Sequence, residues 1–223
     1  GTTPKGFLVE AAAVADAETG DCLHTLIGHT GRVRLIDFSP NGQLLASASS
    51  DKTVRLWRVA DGRLLRTLDH TESAYAVRFD ATGQLLASSG YGESIRLWEV
   101  ETGECLRILT GHTGPVMALA FHPIHEYLLA SGSDDKTVRL WDVRAGACLH
   151  ICEGHQAEVL RVAFSPDGRW LASGSHDRCV RVWRMDTYAA FRLFEGHHDV
   201  IEAVAFAPGA DTPLLYVGSH DQS

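Results

Sequence analysis

Hydrophobic and polar positions along this chain alternate over short runs and then break at turns. From Val159 to Phe164 β-branched and apolar residues dominate, which reads as a strand. Ser165-Pro-Asp-Gly168 reads as a turn, with Pro presetting φ and Gly accepting a positive one. Arg169–Ser173 is a second strand, and Gly174–Asp177 a second turn. Cys179–Arg184 is a third strand, in which Val180 and Val182 alternate with Arg181. Ala190–Phe194 is a fourth. Four short strands parted by turn chemistry predict an antiparallel meander. No segment carries a convincing helical period.

The meander recurs. Gly28-His29 leads to Leu56-Trp57, Gly111-His112 to Leu140-Trp141, and Gly154-His155 to Val182-Trp183. A weaker copy runs from Asp69-His70 to Leu97-Trp98, and a fifth opens at Gly196-His197. Self-similarity with a period of about forty residues marks a repeat architecture. It also argues against an enzyme, because residues that recur once per repeat build the repeat. One such sheet cannot bury both faces alone, whereas a radial arrangement buries face against face and leaves only short edges.

The chain has 223 residues and a net charge of -8, with 45% hydrophobic residues, ordinary for a globular protein. No apolar run nears the roughly 20 residues that span a bilayer, so no membrane partner is expected. A basic region followed by an apolar segment is absent from the N-terminus, and so is an initiator Met. A processed chain or a piece of a longer one is expected. The acidic balance makes nucleic acid an unfavoured partner. Cys22, Cys105 and Cys148 hold equivalent places in three repeats, too far apart for a disulfide, and Cys152 and Cys179 make no zinc-like pair. All five are read as reduced thiols, which implies an intracellular protein: cytoplasmic, with the nucleus as the alternative.

The period, the four strands and the Gly-His and Trp marks resemble the WD-repeat β-propeller family. Ser-Asp-Asp-Lys-Thr-Val-Arg-Leu-Trp-Asp at 133–142 is close to its consensus, and the resemblance covers roughly residues 14–223. The implied fold is all-β, a single propeller domain over 1–223 with whole blades at 28–68, 69–109, 110–152 and 153–194. Residues 7–27 and 195–223 are partial blades. The segment Val14–Leu26 aligns with the repeat end Leu97–Leu109, so the chain opens on the outer two strands of a blade and closes on the inner two, Val200–Phe206 and Pro213–Gly218. Joined, these make a composite blade and a ring of five. The family's usual seven blades favour the other expectation, a portion of a longer propeller. One stretch, Phe194–Pro208, is similar to a late blade of the lissencephaly-type dynein regulators.

Ser, His and Asp in each repeat suggest a hydrolase triad at first sight, but several copies on a symmetric scaffold suit structure better. The resemblance implies a hydrogen-bonded network in each blade, Asp to His to Ser to the indole N–H, that rigidifies it. His29, Ser47, Asp51 and Trp57 form a complete set, as do His112, Ser131, Asp135 and Trp141, and His155, Ser173, Asp177 and Trp183. The second blade keeps His70, Ser88 and Trp98 but has Gly92 for Asp; the last copy keeps His197 and Asp221 with Val217 for Ser. These two blades are expected to be softer. His198 beside His197 is no metal site, and Gly132-Ser-Asp-Asp is a turn and no phosphate loop. Neither a metal nor another cofactor is expected, and no catalytic residue.

A scaffold varies its binding residues while repeating its structural ones. The resemblance places the fifth residue after each repeat His on the top rim: Arg34, Tyr75, Met117, Leu160 and Glu202. The turn before strand three adds Lys52, Tyr91, Lys136, His176 and Arg178. Tyr, Arg and Met are enriched at interfaces. The expected function is a non-catalytic platform that binds another protein or peptide on this rim, within a larger complex. The basic residues point to an acidic or phosphorylated ligand. The alternative is the sensor segment of a larger signalling protein, an NTPase or kinase with a WD-repeat tail.

Overall fold

The computed structural model describes residues 12–208, 214–219 and 221. Every regular element in it is a strand. β1 (Ala12–Ala15) and β2 (Cys22–Leu26) form a two-stranded sheet. Blade one follows, with β3 (Val33–Phe38), β4 (Leu44–Ser49), β5 (Thr53–Arg58) and β6 (Leu64–Asp69) in antiparallel order. Blade two is β7 (Ala74–Phe79), β8 (Leu85–Gly90), β9 (Ser94–Glu99) and β10 (Cys105–Thr110). Blade three is β11 (Val116–Phe121), β12 (Leu128–Ser133), β13 (Val138–Asp142) and β14 (Ala147–Cys152). Blade four is β15 (Val159–Phe164), β16 (Trp170–Ser175), β17 (Val180–Arg184) and β18 (Ala190–Phe194). β19 (Ile201–Phe206) and β20 (Leu215–Ser219) close the described chain as a second two-stranded sheet.

The pleat explains why each sheet needs a neighbour on both faces. Successive side chains in a strand point to opposite faces. In β4, Leu45 packs with Trp57 toward β1–β2, against Ala12, Val14 and Leu26. The next residue, Ala46, packs the other way with Val54 and Leu56, against Val77, Phe79 and Trp98 of blade two. The alternation repeats at Leu129 and Ala130, and again at Leu171 and Ala172. Burying an indole or a leucine in this way stabilises by roughly 1.5–3 kcal/mol each. The phrase Leu-Leu-Ala-Ser, repeated at 44, 85 and 128, is therefore a two-sided core strand.

Strand positions in the fourth repeat match the sequence reading at β15 and β18, while the second strand starts one residue later and runs to Ser175. Gly174 is thus a strand residue, and the turn follows it. Among the described residues, β1–β2 packs against blade one and β19–β20 against blade four, and the two pairs remain separate sheets. Each pair finds its apolar partner in the adjacent blade. Residues 7–11 of the first partial blade, and Pro213 at the start of the last expected strand, lie outside the described residues. Among the described residues no helix is long and apolar enough to cross a membrane. All five cysteines are free thiols.

Candidate functional site

The antiparallel meander sorts the connections onto two ends. Loops entering each inner strand, and turns between second and third strands, share the top end. At that end the repeated polar residues meet. In blade three, Trp141 Nε1–H donates to Ser131 Oγ at 2.8 Å, and Ser131 Oγ lies 2.7 Å from His112 Nε2. His112 Nδ1 lies 2.7 Å from Asp135 Oδ2, which also accepts from the Thr113 N–H at 3.1 Å. Asp135 Oδ1 accepts from the Thr137 N–H and hydroxyl at 3.0 and 2.7 Å. One carboxylate thus fastens the loop before the inner strand to the turn before the third. Gly111 shows what favours the glycine before the histidine: at φ +148°, a Cβ there would come to 2.8 Å from Arg139 Nη1 and 3.3 Å from the Trp141 ring.

Blades one and four reproduce these contacts. His29 meets Asp51 at 2.8 Å and Ser47 at 2.7 Å, and Trp57 donates to Ser47 at 2.8 Å. His155 meets Asp177 and Ser173 at 2.8 Å each, and Trp183 donates to Ser173 at 3.0 Å. Burial raises the Asp51 and Asp135 pKa, but hydrogen bonds from threonine, backbone N–H and histidine outweigh it and hold both at about 2. Burial also pushes His29, His112 and His155 below the usual imidazole range, against the pull of the aspartates. A neutral imidazole donating from Nδ1–H to Asp and accepting the Ser hydroxyl at Nε2 satisfies every group. Blade two keeps His70–Ser88 at 2.7 Å and Trp98–Ser88 at 2.6 Å. In the last sheet His197 meets Asp221 at 3.1 Å, and Val217 pairs with Val204 where Ser173 pairs with Val162.

This geometry bears on the triad reading. Ser47, Ser88, Ser131 and Ser173 are 0% exposed, and each oxygen already accepts an indole N–H. None of these hydroxyls can meet a substrate. Among the described residues no group of three His, Cys, Asp or Glu is placed to hold a metal.

The rim residues sit on a device that the repeat pattern does not reveal. Every inner strand carries a register shift at the fifth residue after the repeat His. Arg34 is skipped between Val33 and Leu35, Tyr75 between Ala74 and Ala76, and Met117 between Val116 and Ala118. Leu160 and Glu202 are skipped in the same way. A bulge of this kind frees one residue from the ladder and re-aims its side chain. On blades one and two these side chains connect. Arg34 lies 5.9 Å over the Tyr75 ring, Tyr75 meets Tyr91 edge-on at 6.3 Å, and Arg34 Nε–H donates to Ser50 Oγ at 3.0 Å. Lys52 donates to the Thr71 carbonyl at 3.2 Å and stands 3.8 Å from Glu72.

Blades three and four differ. Met117 and Leu160 are each only 8% exposed, so they offer a partner little surface. His176 pairs with Glu158 at 3.2 Å, and Glu202 with Arg161 at 3.0 Å. Burial, with Glu158 adding to it, raises the Asp134 pKa. Asp134, Glu158 and Arg161 are not among the expected rim residues because they stand outside the two compared positions of the repeat. Lys52, Lys136 and Arg178 share one backbone state, with φ of 69°, 71° and 68°. They are the left-handed residues of equivalent turns, a conformation that is uncommon for residues other than glycine.

Four segments match the profile described as WD domain, G-beta repeat: residues 20–58, 62–99, 103–142 and 146–184. Single stretches also resemble named proteins. One is 47% identical over 53 residues to eukaryotic translation initiation factor 3 subunit I of Neurospora crassa, covering 24% of this chain and 15% of that protein. Another is 50% identical over 50 residues to nuclear distribution protein nudF 1 of Talaromyces marneffei, covering 22% and 11%. A third is 48% identical over 42 residues to the ribosome biogenesis protein BOP1 homolog of Drosophila virilis, covering 19% and 5%. Each match thus covers a small part of the relative's length.

Proposed function

Since this chain belongs to the WD domain, G-beta repeat family, whose general role is protein interaction, we propose that it is a non-catalytic platform binding a protein or peptide on the top rim. The observation that carries this reading is the bulge shared by the inner strands, which releases Arg34, Tyr75, Met117, Leu160 and Glu202 from the ladder at one end of the molecule. A position that varies in size and charge while its backbone repeats is free to serve recognition. Over blades one and two, Arg34, Lys52, Tyr75 and Tyr91 combine cationic and aromatic groups, while on blades three and four Lys136, His176 and Arg178 are the exposed rim residues. An acidic or phosphorylated peptide suits the part over blades one and two, through charge-assisted bonds to Arg34. Three relatives are named for translation initiation, nuclear distribution and ribosome biogenesis, which supports assembly into a larger complex in the cytoplasm or nucleus. A sensor segment of a larger signalling protein would use the same surface.

The test is an alanine scan against the partner recovered by affinity capture and mass spectrometry. Arg34→Ala and Tyr91→Ala should each cost about 2 kcal/mol of binding, as anchor residues do, with folding unchanged by circular dichroism. Arg107→Ala, on the outer strand β10, should bind like the parent. The rim reading fails if Arg107→Ala weakens capture while the rim variants do not.

A further inference from the structure

Among the four whole blades, one turn at the end opposite the rim breaks the repeat. The turn between first and second strands reads Ser39-Pro-Asn-Gly-Gln43, Asp80-Ala-Thr-Gly-Gln84 and Ser165-Pro-Asp-Gly-Arg169 in three blades. In blade three it reads His122-Pro-Ile-His-Glu-Tyr127, one residue longer and without glycine. The buried His122 ring organises it. Nδ1 accepts from the Ile124 and His125 N–H groups at 3.1 and 2.9 Å, so Nε2–H donates to the Gly168 carbonyl of blade four at 2.9 Å. Gly168 has φ +68°, and a Cβ there would collide with the His122 ring. The turn is therefore clamped across two blades. It holds the exposed His125 tilted against His122, with ring centroids 4.5 Å apart, and leaves Ile124 61% exposed.

Opposite it, in the turn between β17 and β18, Tyr188 stacks on His150 at 5.2 Å with φ 56°. Between the two turns lies a cleft of about 550 Å³, floored by Leu128, Trp170 and Met185. It continues into a second cleft of about 530 Å³ that shares Ile124, His125, Leu128 and Tyr188. Together they reach the size of a small-ligand or peptide site. Four carboxylates line them, Glu126, Asp142, Asp167 and Asp186, against the guanidiniums of Arg169 and Arg184. Arg184 is already held by Asp186 in two bonds of 3.0 and 2.6 Å. Arg169 likewise stands 3.8 Å from Asp167, so Glu126 and Asp142 are the carboxylates in excess, beside the exposed His125 and the half-buried Tyr188, which favours a cation. Just outside, Arg144 lies 4.5 Å over the Tyr127 ring, so a guanidinium already rests on this surface.

The geometry points to a second binding site here, independent of the rim: the cleft between blades three and four takes a basic peptide segment. An arginine side chain lies against His125 and Tyr188, and an apolar neighbour fills the floor at Leu128, Trp170 and Met185. The two ends of the molecule then favour partners of opposite charge.

Trp170 makes a site-specific reporter. The chain has five tryptophans, and Trp57, Trp98, Trp141 and Trp183 are tied to serines in the blades. The 15N-labelled chain is titrated with an acetylated Ser-Leu-Arg-Leu-Ser amide and with the same peptide carrying glutamate for arginine, while the indole N–H signals are followed by NMR. Trp170→Phe assigns the signal. The arginine peptide should move the Trp170 signal saturably, leaving the other four in place, and the glutamate peptide should not. Glu126→Gln combined with Asp142→Asn should weaken binding about fivefold, as expected of exposed charge pairs. Ile124→Ser, at an exposed position, should weaken it about threefold, which serves if the double variant misfolds. Tyr75→Ala on the rim should leave it unchanged. An unmoved Trp170 signal, an equal response to the glutamate peptide, or parental affinity in the cleft variants overturns the proposal.

Discussion

Blades two and three use the same fold with different fastenings. In blade three the Asp135 carboxylate ties His112, Thr113 and Thr137 together, and the two top connections hold each other. In blade two Gly92 stands at that place, yet His70, Ser88 and Trp98 keep contacts of 2.7 and 2.6 Å. The Ser–Trp contact is set by neighbouring strands of the ladder and does not need the aspartate. What changes is the support of the loop. The His70 N–H donates to the Lys52 carbonyl of blade one, Lys52 Nζ reaches Thr71, and Ser73 donates to the Ser50 carbonyl. At this loop blade two leans on its neighbour, where blade three uses its own Asp135. The aspartate therefore fastens loops, and the serine and tryptophan fasten strands.

The largest expected effect tests that division. Asp135→Ala removes the acceptor of four hydrogen bonds. It leaves the buried His112 Nδ1–H without its partner, at a cost of about 3 kcal/mol, the upper end for one orphaned group. Urea melts followed by tryptophan fluorescence measure it. Hydrogen exchange should show lost protection at 112–116 and 133–138, with β12–β13 pairing retained. An unchanged midpoint would mean that the carboxylate fastens nothing.

Acid should act on the other blade. Burial, with Arg96 adding to it, lowers the His70 pKa to about 4, and no carboxylate opposes this as Asp135 does at His112. The unfolded chain binds the proton near pH 6.5. Between pH 6.5 and 4 the unfolded state therefore holds more protons, so stability falls as pH falls through that window. At pH 5 the loss from His70 is about 2 kcal/mol. Gly92→Asp should blunt it, because a carboxylate beside His70 stabilises the imidazolium. There is room: the nearest atom to a Cβ at Gly92 is Glu72 Cγ at 3.9 Å. Melts at pH 7 and 5 for parent and variant decide the matter. Equal acid sensitivity in the two would show that His70 is not the group responsible.

The sequence shows one half of this design plainly and hides the other. Strand and network positions were legible because a pleat of period two and a repeated His, Ser, Asp and Trp set leave marks in every copy. The bulge at Arg34, Tyr75, Met117, Leu160 and Glu202 was not, since an extra ladder residue has no composition of its own. The burial of Met117 and Leu160 follows from neighbours in adjacent blades, which a single repeat cannot display. The clamped turn at His122 did carry a signal, a missing glycine and one added residue, but it lay away from the compared positions. The separate end sheets depend on which apolar face each strand pair finds, and repeat counting does not address that.

The smallest effect belongs to the least complete set. His197 has Asp221 at 3.1 Å but faces Val217 where other blades supply Ser, and its side chain is 25% exposed against 1% for His112. Water can therefore meet a ring nitrogen at His197, whereas at His112 only Ser131 and Asp135 can. His197→Ala should cost less than about 0.5 kcal/mol, the range of surface substitutions. His112→Ala, which orphans Ser131 and Asp135 together, should cost about 2 kcal/mol or more. Paired urea melts compare them. Equal losses would show that the histidine stabilises through packing on its own sheet.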